Sequence, residues 1–129
     1  MPPVVQQPKP GAIFYCFFGE ENRSEYRPPE IYKTRPVVVV SNRRFNRIMA
    51  TVIALSTTEP RSETEKKRTY FIPGGKYGSL PNDGWVKAQV LESVSLNRLS
   101  FARNIAIEAL DSEDMEGIRE IINISLSLV

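Results

Sequence analysis

The sequence predicts a mainly β fold: a small, partly open barrel of short strands packed by one C-terminal helix. Three observations carry this. Several short β-branched or aromatic runs are separated by polar, Gly- and Pro-containing segments. A continuous valine run marks a buried strand. Only the last stretch of the chain repeats apolar residues at helical spacing and carries a helix-start signal.

Residues 1–10 hold four prolines and read as an extended, flexible lead. Residues 11–129 are then one domain, since 129 residues suit a single core. Residues 11–19, Gly-bounded and aromatic, read as the first strand, and the polar residues 20–34 as a long loop. Residues 35–41 form the valine strand, with Pro36 tolerated at its start. Residues 49–56 and 68–73 give a third and a fourth strand, separated by a polar stretch, and residues 85–94 a fifth. A short sixth strand is expected at residues 105–110. In the final helix Asp111 or Ser112 can act as cap, and Glu113, Asp114 and Glu116 place negative charge at its start. Met115, Ile118, Ile122 and Leu126 line its apolar face. Ile121, Ile124, Leu128 and Val129 widen that face enough to suggest packing on the barrel plus contact with a second subunit.

Composition narrows the chemistry. The chain contains no histidine, which removes the commonest general base and metal ligand. Its single cysteine, Cys16, lies in an apolar run, so no disulfide forms within the chain and the thiol is expected in the core. No metal or cofactor is expected. The apolar runs are too short to span a bilayer and residues 1–10 show no apolar signal region, which implies a reducing, cytoplasmic setting. The net charge of +2 is unevenly spread: residues 31–58 carry five bases and no acid, while residues 104–129 carry six acids and one base. The basic stretch favours a polyanionic partner such as nucleic acid. Gly74-Gly-Lys-Tyr-Gly78 lacks phosphate-loop spacing and reads as a hairpin loop.

An ordered set of features is more informative. A Gly-initiated aromatic strand precedes Gly19-Glu20-Glu21. Arg35-Pro36 opens the valine strand, which ends in Ser41. The next hydrophobic strand ends in Ser56-Thr57-Thr58, and Asp83-Gly84 precedes Ala88-Gln89-Val90. In this order over residues 10–129 the chain resembles the MazF/PemK toxins of type II toxin–antitoxin pairs, within the CcdB superfamily.

The resemblance implies an SH3-like (CcdB/PemK-like) barrel, a homodimer, an RNA substrate and a cognate antitoxin. It also implies a metal-independent endoribonuclease, or mRNA interferase, in which the RNA 2′-hydroxyl attacks the adjacent phosphorus. By the family pattern Arg35 and Thr57 are the catalytic candidates. A guanidinium suits a phosphate, because it is planar, always charged and bidentate. Ser41, Arg43, Arg44, Arg47 and Lys87 are the candidate RNA-binding residues. Where several members of that family carry an acid, just before the Gln of the fifth strand, this chain has Ala88. Glu20, Glu21 or Glu25 of the long loop are candidates to supply a carboxylate instead. Two other functions remain: a non-catalytic member binding RNA or a protein, and a gyrase-directed toxin, against which the helix end at residues 125–129 lacks an aromatic-glycine tip.

Overall fold

Val37, Val38 and Val39 are all fully buried, although successive residues of a strand point to opposite faces. Their strand must therefore be covered on both sides. A computed structural model describing residues 5–19, 34–101 and 107–126 shows how. Six strands form one antiparallel sheet: β1 (Ile13–Phe17), β2 (Thr34–Val39), β3 (Met49–Ser56), β4 (Thr69–Ile72), β5 (Gly84–Ser95) and β6 (Leu99–Phe101). Their spatial order is β4-β5-β3-β2-β1-β6. β4 and β6 are edges, so the sheet curls without closing. A short helix, α1 (Glu63–Lys67), precedes β4, and α2 (Ser112–Leu126) ends the described chain.

The sheet separates two apolar clusters. Phe14, Cys16, Val37, Val39, Val52 and Ala54 belong to the inner one. Ile13, Val38, Ile53 and Leu55 turn the other way and meet Ile118 and Ile121 of α2. β5 serves both faces through a register shift. Ile53 pairs with Leu91, but Leu55 pairs with Val86, so β5 holds three extra residues between these pairs. An odd shift reverses side-chain parity. Val86 accordingly joins the helix-side cluster, while Val90 and Val94 join the inner one.

Two expectations need correction. The sixth strand is residues 99–101, not 105–110. Ala109 makes only an isolated bridge to Ala12, and residues 102–106 lie outside the described residues. The polar stretch before β4 contains α1, which Ser62 caps by accepting from the Glu65 amide. Within residues 1–10, Val5 is 2% exposed in the inner cluster, and the Pro8 carbonyl accepts from the Asn46 side chain at 2.8 Å. Of the two candidate caps for α2, Asp111 accepts from the Asp114 amide at 2.8 Å. Among the described residues no helix is long and apolar enough to cross a membrane.

Candidate active site

Antiparallel pairing of β2 with β3 sets the start of one strand beside the end of the other. Arg35 and Thr57, 22 positions apart in sequence, consequently line the same cleft of about 430 Å³. Tyr15, Ser56, Ser79, Asn82 and Asp83 share its wall. Leu55 and Leu80, both buried, give it an apolar base.

The far wall is the loop between β4 and β5, and several contacts hold it in place. Glu108 accepts from the amides of Gly78 and Ser79 at 2.9 and 2.6 Å. Asp83 accepts from the Gly74 amide at 2.7 Å. Gly74 must be glycine for the loop to fold back this tightly. A β-carbon there would meet the Pro81 carbonyl oxygen at 2.7 Å and the Asp83 amide nitrogen at 2.8 Å. The Tyr77 hydroxyl donates to Asp114 at 2.6 Å and accepts from the Asp111 amide at 2.9 Å. Lys76 reaches Asp114 and Asp111 at 2.9 and 3.2 Å. One side of the cleft is thus tied to the start of α2.

Asp83 is the residue that sequence reasoning passed over. Its Asp-Gly pair read only as a turn, yet the turn puts Asp83 in the lining of the cleft that holds Arg35 and Thr57. Ala88 is 6% exposed and packs in the helix-side cluster. An acid at that position would be buried among apolar side chains. Glu20, Glu21 and Glu25 lie outside the described residues.

The candidate RNA-binding residues are not gathered at the cleft. Arg43, Arg44 and Arg47 are exposed on the turn between β2 and β3, at the opposite end of these strands. The six residues from Arg35 to Ser41 span about 20 Å of strand. Arg47 lines a separate cavity of about 650 Å³ with Gln6, Gln7, Ile48 and Asn97. Ser41 has an internal role. Its hydroxyl donates to Asn46 at 2.6 Å and accepts from the Thr51 amide at 2.9 Å. Asn46, 1% exposed, donates in turn to the Pro8 and Ser41 carbonyls. Lys87 is half-buried on β5 opposite Thr69.

One group can be set aside as a reactant. Burial pushes the Cys16 thiol up to about 11, against a smaller lowering by Arg98, so it is protonated at neutral pH. Among the described residues no group of three or more Cys, Asp or Glu side chains is arranged to hold a metal ion.

Residues 9–126 match the family model described as PemK-like, MazF-like toxin of type II toxin–antitoxin system. The chain is 32% identical to the Escherichia coli K12 protein YifN over 111 residues, 74% of each chain. It is similar in structure to a mycobacterial endoribonuclease solved with its cognate antitoxin (TM-score 0.66, 18% identity, covering 95% of this chain and 97% of that one). A likeness of the same order relates it to MazF from Deinococcus radiodurans (TM-score 0.68, 16% identity, 92% and 96%). At that level of identity the two structures establish the fold.

Proposed function

The chain belongs to the PemK-like, MazF-like toxins of type II toxin–antitoxin systems, and from that premise we propose that it is an mRNA interferase: a cytoplasmic endoribonuclease that cleaves RNA without a metal. The observation that carries this reading is the convergence of Arg35, Thr57 and Asp83 on one cleft.

The chemistry needs three things. A base must take the proton of the attacking 2′-hydroxyl, positive charge must meet the phosphorane, and a donor must protonate the departing 5′-oxygen. The Asp83 carboxylate, in the same lining as Arg35 and Thr57, serves as the proton acceptor. Arg35 stays charged at every relevant pH and stabilises the phosphorane. Thr57 donates a hydrogen bond to a phosphate oxygen. The 2′-oxygen bonds to phosphorus as the bond to the 5′-oxygen breaks, and the departing oxygen takes its proton from solvent water, leaving a 2′,3′-cyclic phosphate and a 5′-hydroxyl.

The exposed arginines at the far end of β2 and β3 serve as a separate, sequence-independent phosphate contact. The toxin acts as a homodimer held in check by an antitoxin whose acidic segment competes for the same cationic sites. Ile124 and Leu126, 54% and 62% exposed on α2, are apolar surface suited to the subunit contact.

Incubating long single-stranded RNA with the protein in excess chelator tests the proposal. Fragments with cyclic phosphate and 5′-hydroxyl ends are expected. RNA that is bound but never cut would transfer the chain to the non-catalytic reading, which the apolar setting of Ala88 favours.

A further inference from the structure

Beside the cleft, on the face of the sheet turned away from α2, lies an aromatic pair with no place in the cleavage chemistry. Ser56, the last residue of β3, pairs with Trp85, and Trp85 pairs with Phe71 across β4. The two rings stand 5.2 Å apart at 42°. Their neighbours Tyr70, Ile72 and Val86 belong to the helix-side cluster, so alternation turns Phe71 and Trp85 to the opposite face. Phe71 is 46% exposed there, and Trp85 is half-buried. Lys87 and Thr69 form the next row on that face.

We propose that Phe71 and Trp85 form a stacking platform for an unpaired base of single-stranded RNA, next to the nucleotide whose phosphate lies at Arg35. The proposal rests on the endoribonuclease reading above. Three observations support this occupant. The pair continues the register from the cleft, since Ser56 lines the cleft and Trp85 is its partner. Only β3 lies between β2 and β5, which sets the rows of Arg35 and Trp85 about 10 Å apart, a nucleotide-scale step. Lys87 adds positive charge in the adjoining row, complementary to a polyanion rather than to an apolar subunit face. Unpaired bases bind aromatic side chains in this way, whereas a duplex would keep its bases stacked on one another.

Trp85 is the only tryptophan in the chain, so its fluorescence reports on this site alone. The probe is a short single-stranded RNA with 2′-O-methyl groups, which lacks the attacking hydroxyl and stays intact, alongside an abasic strand of equal length and charge. The base-bearing strand should quench Trp85 and the abasic strand should not. Phe71→Leu, which keeps apolar bulk without the aromatic ring, should weaken binding of the base-bearing strand roughly 5- to 100-fold. Its affinity for the abasic strand should not change. Binding seen by anisotropy of a labelled strand, with Trp85 unquenched and Phe71→Leu without effect, overturns the platform while leaving the endoribonuclease reading intact. Quenching that rises with protein concentration in the absence of RNA also overturns it, by showing that a second copy covers the pair. If neither strand binds and long RNA is not cut, both proposals fall together.

Discussion

The aromatic ring of Tyr70 occupies the space that a β-carbon on Gly117 would need. The ring cannot simply swing aside, because its hydroxyl donates to Asp114 at 2.5 Å, one helical turn earlier. Glycine in a helix interior costs about 1 kcal/mol relative to alanine, so Gly117→Ala should stabilise α2 taken alone. In the whole protein it should destabilise by about 1–3 kcal/mol, the usual cost of forcing extra atoms into a packed contact. Urea unfolding measures the difference, and a variant more stable than the parent would show that β4 and α2 do not pack as described.

The same contact makes stability depend on pH at both ends. Burial alone would raise the Asp114 carboxyl, but hydrogen bonds from Tyr70, Tyr77 and Lys76 outweigh it and hold the group below the ordinary carboxylate range. A depressed folded-state value contributes stability above the unfolded value of about 4 and loses it as pH falls through the folded one. Tyr70 and Tyr77 are each pushed up to about 12, first by burial and then by Asp114. Their contribution is complete below about pH 10, the unfolded value, and is lost as pH rises toward 12. Denaturant midpoints should therefore plateau between about pH 5 and 9 and fall on both sides. Asp114→Asn should lower the plateau and flatten the acid limb. An acid limb unchanged in that variant would assign acid loss to other carboxylates.

Within the cleft, Arg35→Ala should lower RNA cleavage by at least about 100-fold, the scale of losing one preorganised charge-stabilising donor. Thr57→Ala should cost less, because a neutral hydroxyl makes a weaker hydrogen bond than a guanidinium. Asp83→Asn should slow turnover by about 100-fold or more, the scale of general-base catalysis. It should leave the fold intact, since the amide oxygen can still accept from the Gly74 amide. Steady-state rates on one RNA rank the three. A cleavage rate in Asp83→Asn equal to that of the parent would remove this carboxylate from the mechanism.

Ser41 and the arginines should part company. Ser41→Ala leaves the Thr51 amide and the buried Asn46 side chain short of a partner, so it should cost about 1–3 kcal/mol of stability. Its affinity for RNA should stay at the parent level. Replacing Arg43, Arg44 and Arg47 together should do the reverse: a shallower salt dependence of RNA binding with stability nearly unchanged. Thermal melts and salt titrations of both variants check this. An RNA-binding defect in Ser41→Ala without loss of stability would return that hydroxyl to the binding surface.

Much of this was legible in the chain. The valine run at residues 37–40 announced a buried strand, and two clusters cover it, one on each face. Five of the six strands fall where β-branched and aromatic runs stand. The terminal helix follows its cap and its apolar period. Arg35 and Thr57 were singled out by an ordered pattern, and antiparallel pairing then brought them to one cleft.

What escaped has physical reasons. The sixth strand is three residues long, too short for a periodic signal. α1 forms in a segment with no apolar face, supported by its cap rather than by burial. Asp83 gained its setting from a loop whose path is fixed by Glu108 and Gly74, and no local pattern encodes such contacts. Closeness along the chain does not give closeness to the cleft. Ser41 and Arg43 are close to Arg35 along the chain, but a strand carries them to the other end of the sheet. Parity in β5 was equally hidden, because three extra residues reverse it halfway along.

Cys16 gives the inner cluster a chemical clock. It is the chain's only sulfhydryl, has no exposed surface, and lies in register between Arg35 of β2 and Leu99 of β6. A thiol reagent added to the native protein must wait until β1 parts from its neighbours. The labelling rate therefore counts openings of the sheet's curled half. Because β6 is an edge strand three residues long, those openings need not involve β4, β5 or α2. Labelling faster than global unfolding would show the sheet uncurling from the β6 side while the helix stays docked. Anything that clamps β1 against β6, an inhibitor or a bound protein, would then be visible as a slowing of one covalent reaction, with no dye attached.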